Sequence, residues 1–191
     1  MHRILVKGDT KMLGIRFAFA AALAAATATG NLCWAQQAVN PLVEGQQVIH
    51  NMVKNNIIRA AEKMPEEHYP FRPVPEVMSF AEMLGHIADS QYSYCASVAG
   101  ERKPSPGLQK KPNLSKAELV AALKEAFGVC DQAIASLTDA KAMELAPLFG
   151  RQMPRLTILT FNTAHNYEHY GNLVTYMRMK GLVPPSSEGR R

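Results

Sequence analysis

The chain has 191 residues, a formal net charge of +5 and 47% hydrophobic residues. That is enough for one domain with a real core, and too apolar for a disordered chain. Part of the basicity is local: Arg3, Lys7, Lys11 and Arg16 stand against Asp9 near the start, and without them the charge falls near +2. Such a balance excludes the basic stripe that nucleic-acid binding needs.

Residues 1–35 read as an export leader. Basic residues precede the apolar, Ala-rich run "IRFAFAAALAAATATG", and "CWA" offers a small-x-small cleavage site with Cys33 and Ala35 at the small positions. The run is short for a transmembrane helix. The expected products are a leader, 1–35, and a periplasmic or secreted domain, 36–191, free of the membrane after cleavage behind Ala35. An uncleaved anchor is the alternative, and Leu32 argues against a lipidated Cys33. Met1 and Met12 are both candidate starts.

Four helices follow. The first runs from Pro41 to Lys63, where Val48, Ile49, Met52, Val53, Ile57, Ala60 and Met64 repeat at the spacing of one apolar face. "MPEEHYPFRPVPEVM" is too rich in proline to continue it. "SFAE" at Ser79–Glu82 and "SKAE" at Ser115–Glu118 are capping boxes that open the second and third helices, which end near Gly100 and Leu137. Between them "GERKPSPGLQKKP" reads as a solvated loop. The fourth helix spans Leu156 to Lys180, closed by Gly181 and blocked by Pro184 and Pro185. No alternating strand pattern of useful length occurs. The fold class is all-α, most simply a four-helix bundle.

Chemistry concentrates in the histidines. "HNYEH" places His165 and His169 one turn apart on the fourth helix. At about 100° per residue, Ile158, Phe161 and Tyr176 lie within about 40° of His165, so the pair points inward. His86 sits on the flank of the second helix's apolar face. Inward imidazoles on facing helices are how bundles build metal sites, and neutral imidazole suits zinc, nickel, copper or iron. A hydrogen-bonded core pair is the alternative. The inverted zinc-peptidase motif H-x-x-E-H also fits, with Glu168 as general base, but too little chain follows His169 to supply its downstream carboxylate ligand. No C-x-x-C-H occurs, which argues against haem.

"MPEEHYPFRPVPEVMSFAEMLGHIA" and "HNYEHYGNLVTYMRMKGLVPP" resemble the two signature stretches of the DinB/YfiT-like superfamily. The likeness spans about residues 41 to 185. It implies a bundle with an up-down-down-up course and a metal triad of His86, His165 and His169. The expected cofactor is a divalent transition metal, zinc or nickel first. Assigned activities in the family are thiol-dependent transferases and isomerases or metal-dependent hydrolases, with small-molecule substrates. Export would leave small cytosolic thiols scarce, which weakens the thiol-dependent reading. A non-catalytic metal- or partner-binding bundle is the rival. Glu168 is the candidate base, although it lies some 60° to one side of His165. Tyr92, Tyr94, Tyr167, Asn162 and His50 are candidate pocket residues, and a homodimer is one open assembly. The family course makes the second and third helices parallel. Cys95 and Cys130 then sit at nearly the same height past their caps, so a Cys95–Cys130 disulfide is expected in an oxidising compartment.

Overall fold

The computed structural model describes residues 39–101 and 103–189. The expected leader, with Cys33 and the cleavage point behind Ala35, lies outside the described residues. The first helix, α1, is Pro41–Lys63. Proline suits its first turn, where its missing N–H would have had no helical partner anyway. The free amides of that turn are satisfied from 97 residues further along the chain. Leu42 N–H and Val43 N–H donate to the Asp139 carboxylate at 3.1 and 3.0 Å, and Asp139 N–H donates to Asn40 Oδ1 at 2.9 Å.

Both capping boxes form. Helix α2, Phe80–Ala99, starts where Ser79 Oγ accepts from Glu82 N–H and the Glu82 carboxylate accepts from Ser79 N–H. It stops at Gly100, whose φ of +74° only glycine adopts without strain. Helix α3, Lys116–Ala135, opens on the same reciprocal pair, Ser115 and Glu118. A four-residue helix, α4 (Asp139–Ala142), leads into a hairpin of β1 (Leu145–Leu148) and β2 (Arg151–Pro154), antiparallel with Leu148 opposite Arg151. The last helix, α5, is Arg155–Met179. Among the described residues no helix is long and apolar enough to cross a membrane.

Four long-range bonds set the course. Gln46 Nε2 donates to Thr163 Oγ1 at 2.7 Å, joining the early parts of α1 and α5, which are therefore parallel. Tyr176 OH donates to Met78 O at 3.0 Å, bringing the end of α5 to the start of α2. Lys116 Nζ donates to Glu62 O and Met64 O, bringing the start of α3 to the end of α1. The result is the up-down-down-up bundle, with α2 and α3 side by side and parallel.

The core has two apolar parts. Ile57, Phe80, Leu84, Ile87, Leu123, Phe127 and Leu173 fill one. Val43, Cys95, Val98, Cys130, Ile134, Ile158 and Leu159 fill the other. Each such side chain contributes roughly 1.5–3 kcal/mol on burial. Along α2 and α5 the two parts are separated by a polar layer of Gln91, Asn162 and Asn166, each at most 1% exposed. Gln91 Nε2 donates to Asn166 Oδ1 at 2.7 Å and Asn162 Nδ2 donates to Gln91 Oε1 at 2.8 Å. Without these partners each buried amide would cost about 1–3 kcal/mol. At the edge of this layer Cys95 and Cys130 stand at disulfide distance, with Cα atoms 5.0 Å apart.

The structure corrects three readings of the sequence. Val48, Ile49 and Met52 are exposed, so the buried stripe of α1 is rotated away from them. It runs through Val43, Gln46, His50, Val53, Ile57 and Ala60. The two polar residues in that stripe are buried because other helices supply partners: Thr163 for Gln46, and Asp131 for His50 at 3.0 Å. The β1–β2 hairpin appears where no strand was expected; four residues per strand, with Pro147 in one, are too few to show an alternation. The 100–112 segment is more than a solvated loop. Asp89 accepts from Leu108 N–H and Gln109 N–H at 2.9 and 3.0 Å, which fastens the turn at Leu108–Lys110 onto α2.

Candidate metal centre

His86 comes from the second turn of α2 and His165 and His169 from the middle of α5. His86 and His165 both lie in the first half of their expected helices, so convergence requires an axial offset. The Tyr176–Met78 hydrogen bond provides it by setting the end of α5 against the start of α2. From that tie, His169 lies about two turns back along α5 and His86 about two turns forward along α2. The nitrogens meet. His86 Nε2 and His165 Nε2 are 3.0 Å apart, as are His169 Nε2 and His165 Nε2. One ligand nitrogen from each of the three residues lies within 4.8 Å of the others.

The donor set can be tested against a cation. Ligands about 2.1 Å from one ion and at right angles stand about 3.0 Å apart, so the two contacts through His165 have the spacing of ligands sharing one ion. Hydrogen bonding alone fits poorly. His86 Nδ1 is 3.1 Å from Gln109 Oε1, an acceptor, so it carries the proton and leaves Nε2 a bare lone pair. In its neutral form His165 Nε2 is either a donor or an acceptor, yet it has two nitrogen neighbours at 3.0 Å. At least one of those contacts therefore lacks a conventional hydrogen bond, and a shared cation would satisfy both. The amide of Gln109 is held in turn by Met78 Sδ, 3.3 Å from its Nε2. The Nδ1 atoms of His165 and His169 are buried with no partner, so packing rather than an outer hydrogen bond orients those two rings.

Burial, with the neighbouring His169 and His86, pushes the His165 pKa down to about 4. Burial and His86 lower His169 too, against a small upward pull from Glu168. At neutral pH both rings are therefore uncharged, the state that ligates.

Beside His86 opens a cleft of about 400 Å³, bordered by Ser90, Tyr94, Gln109, Lys110 and Phe149. Tyr94 stands edge-on to His165 with centroids 5.6 Å apart, Phe161 lies roughly parallel to the imidazole at 6.4 Å, and Tyr94 and Phe161 meet each other edge-on at 5.4 Å. Phe161 was expected to point inward with the pair, but it is 41% exposed. Glu168 is also exposed and stands outside the three-histidine cluster, although His169 and Tyr94 feel its charge. Of the other candidate pocket residues, only Tyr94 borders the cleft. Asn162 belongs to the polar layer, His50 pairs with Asp131, Tyr92 bonds to Glu125, and Tyr167 is largely solvent-facing.

Sequence reasoning missed Gln109, Gly85 and Phe149. A Cβ on Gly85 would sit 2.8 Å from Gln109 N and Leu108 C. The glycine beside His86 is what lets the Gln109 turn approach the helix. That adjacency was a usable signal; nothing local pointed to Gln109 or Phe149.

A family model for the DinB superfamily matches residues 52–173. The chain is 29% identical over 136 residues to YjoA of Bacillus subtilis, described as an uncharacterized protein, across 69% of this chain and 84% of that one. A DinB-like protein from Bacillus cereus superposes with a TM-score of 0.65 at 18% identity, covering 74% of this chain and 95% of the other. The YjoA crystal structure gives 0.59 at 22% identity, covering 78% and 99%. A mycothiol-dependent maleylpyruvate isomerase gives 0.58 at 14% identity, covering 69% of this chain and 60% of its own. At these identities the structural likenesses show a shared fold.

Proposed function

The chain belongs to the DinB superfamily, and from that premise we propose that it is an exported metal-dependent enzyme, a hydrolase or transferase of small molecules, whose His86, His165 and His169 hold one divalent ion, zinc or nickel. The observation that carries the reading is the convergence of three imidazole nitrogens beside an open cleft. A divalent ion bound there would act as a Lewis acid and bring bound water towards a neutral pKa. The protein's own part is to present neutral rings. Burial keeps His165 and His169 unprotonated, and Gln109 fixes the His86 tautomer so that Nε2 faces the ion. Tyr94 and Phe161, in contact with each other, both pack against the His165 ring. Glu168, exposed and outside the three-histidine cluster, is the candidate proton acceptor, and its charge acts on His169. Three protein ligands leave positions open for substrate, which favours an enzyme over a closed structural site. Export to an oxidising compartment is part of this proposal and would favour hydrolysis over thiol-dependent transfer.

The test is metal analysis of the purified mature protein. About one ion per chain is expected, with substantial loss on alanine replacement of His86, His165 or His169 and little change in helical circular dichroism. A triple-alanine variant that keeps its metal overturns the assignment.

A further inference from the structure

The tip of the β1–β2 hairpin is built against the preference of its own backbone. In a two-residue tip with positive φ at both positions, glycine, asparagine and aspartate are the residues that fit. Gly150, at φ +73°, conforms; Phe149, at φ +51°, does not. A bulky L side chain resists this conformation, and such outliers gather where function demands them. Burial does not account for the phenylalanine, because it is 67% exposed. The strand behind it is anchored to α2, since Ser97 donates to Pro147 O.

The placement of the ring is informative. Phe149 meets Tyr94 edge-on at 6.0 Å and Phe161 edge-on at 5.4 Å. Tyr94 and Phe161 each touch the His165 imidazole. Phe149 and Tyr94 also border the cleft beside His86, and so do Lys110 and Asp89, the Asp89 carboxylate being engaged by the Leu108 and Gln109 amides. Aromatic surface thus runs from solvent to the histidines, with a cation at its side. Exposed aromatic surface converging with a few polar groups in one cleft is the usual makeup of a small-molecule site.

We propose that Phe149 and Tyr94 form the specificity wall of this site and that its substrates are aryl acids or their derivatives. The aromatic ring lies against Phe149 and Tyr94, and the oxygen-bearing group reaches towards Lys110 and the histidines. Aromatic pairs of this kind add attraction beyond simple area burial. The inference rests on the metal reading only for the direction of the oxygen-bearing group; the ring-binding half stands on the wall itself.

The experiment titrates 2-naphthoate, with acetate as control, into metal-free and zinc-loaded protein, reading binding by NMR shift perturbation. Phe149→Asn removes the ring while tolerating the tip conformation, and Phe149→Trp restores an aromatic surface. Expected is saturable naphthoate binding by the unsubstituted protein and by Phe149→Trp, weakened about tenfold in Phe149→Asn. Acetate should bind far more weakly, and Phe149→Asn should keep its zinc and its helicity. Equal naphthoate affinity in Phe149→Asn, or no saturable binding by the unsubstituted protein, overturns the proposal. So does a change in oligomeric state as the sole effect of Phe149→Asn, which would make the ring a contact between copies. Naphthoate binding that depends on Phe149 in a protein that takes up no zinc would sink the metal reading and leave the wall standing.

Discussion

Burial and two neighbouring rings depress the His165 pKa to about 4, and this has a thermodynamic consequence for the metal-free protein. Above about pH 6.5 the ring is neutral in both the folded and the unfolded chain, so it adds no pH dependence. Between about 6.5 and 4 the unfolded chain takes up a proton that the folded chain refuses, and stability must fall as pH falls. His50, whose pKa is also lowered mainly by burial, acts in the same direction. Urea midpoints measured across this window on metal-free protein should therefore decline towards acid, and His165→Asn should decline less. Parallel curves for the two proteins would refute the depressed pKa. The three histidines were legible in the sequence because spacing, inward phase and family likeness all chose them. Gln109 was not, because its role depends on a tertiary contact between a turn and α2 that no local pattern encodes.

Among the elements, α2 and the turn at Leu108–Lys110 are the most tightly coupled. Gly85→Ala would place a methyl group 2.8 Å from backbone atoms of Leu108 and Gln109. Backbone yields less readily than a side-chain end, so the turn must shift and the Gln109 bond to His86 must lengthen. The substitution should destabilise by about 1–3 kcal/mol, the usual range for overpacking, and should weaken metal binding although it changes no ligand. Wild-type stability together with wild-type metal affinity would show that the turn is free to move. The helices themselves were readable because their ends carry chemistry: Pro41, the Ser79 and Ser115 boxes, and Gly181 fix the boundaries almost to the residue. The buried face of α1 was misread for a complementary reason. Val48, Ile49 and Met52 score as core by hydropathy, whereas Gln46 and His50 become core only through Thr163 and Asp131, which lie on α5 and α3.

For the whole molecule, the Cys95–Cys130 pair joins two parallel helices beside the polar layer, with both residues fully buried. Formed in an oxidising compartment, the bridge should stabilise the bundle by roughly 2–4 kcal/mol, to be read as the loss in unfolding free energy of a Cys95→Ala/Cys130→Ala variant. Mature protein unfolded without reductant should show no free thiol; two titratable thiols would rule the bridge out. The pairing could be anticipated once a parallel course was assumed, since both cysteines lie nearly equally far past their caps. Its neighbours could not be anticipated. Asn162 and Gln91 reach the sulfurs from α5 and α2 through folds of the chain that sequence distance hides.

The carboxylate of Asp139 at the start of α1 bears on processing. The first turn of the bundle takes two of its end-group bonds from Asp139, far along the folded body, and Asn40 closes the pair. A leader peptidase cutting a few residues early or late, anywhere ahead of Asn40, would release the same helix start with the same hydrogen bonds. If the proposed leader is removed, ragged trimming ahead of Asn40 should leave the Asp139 bonds to α1 intact, so accurate cutting would not be needed to keep them.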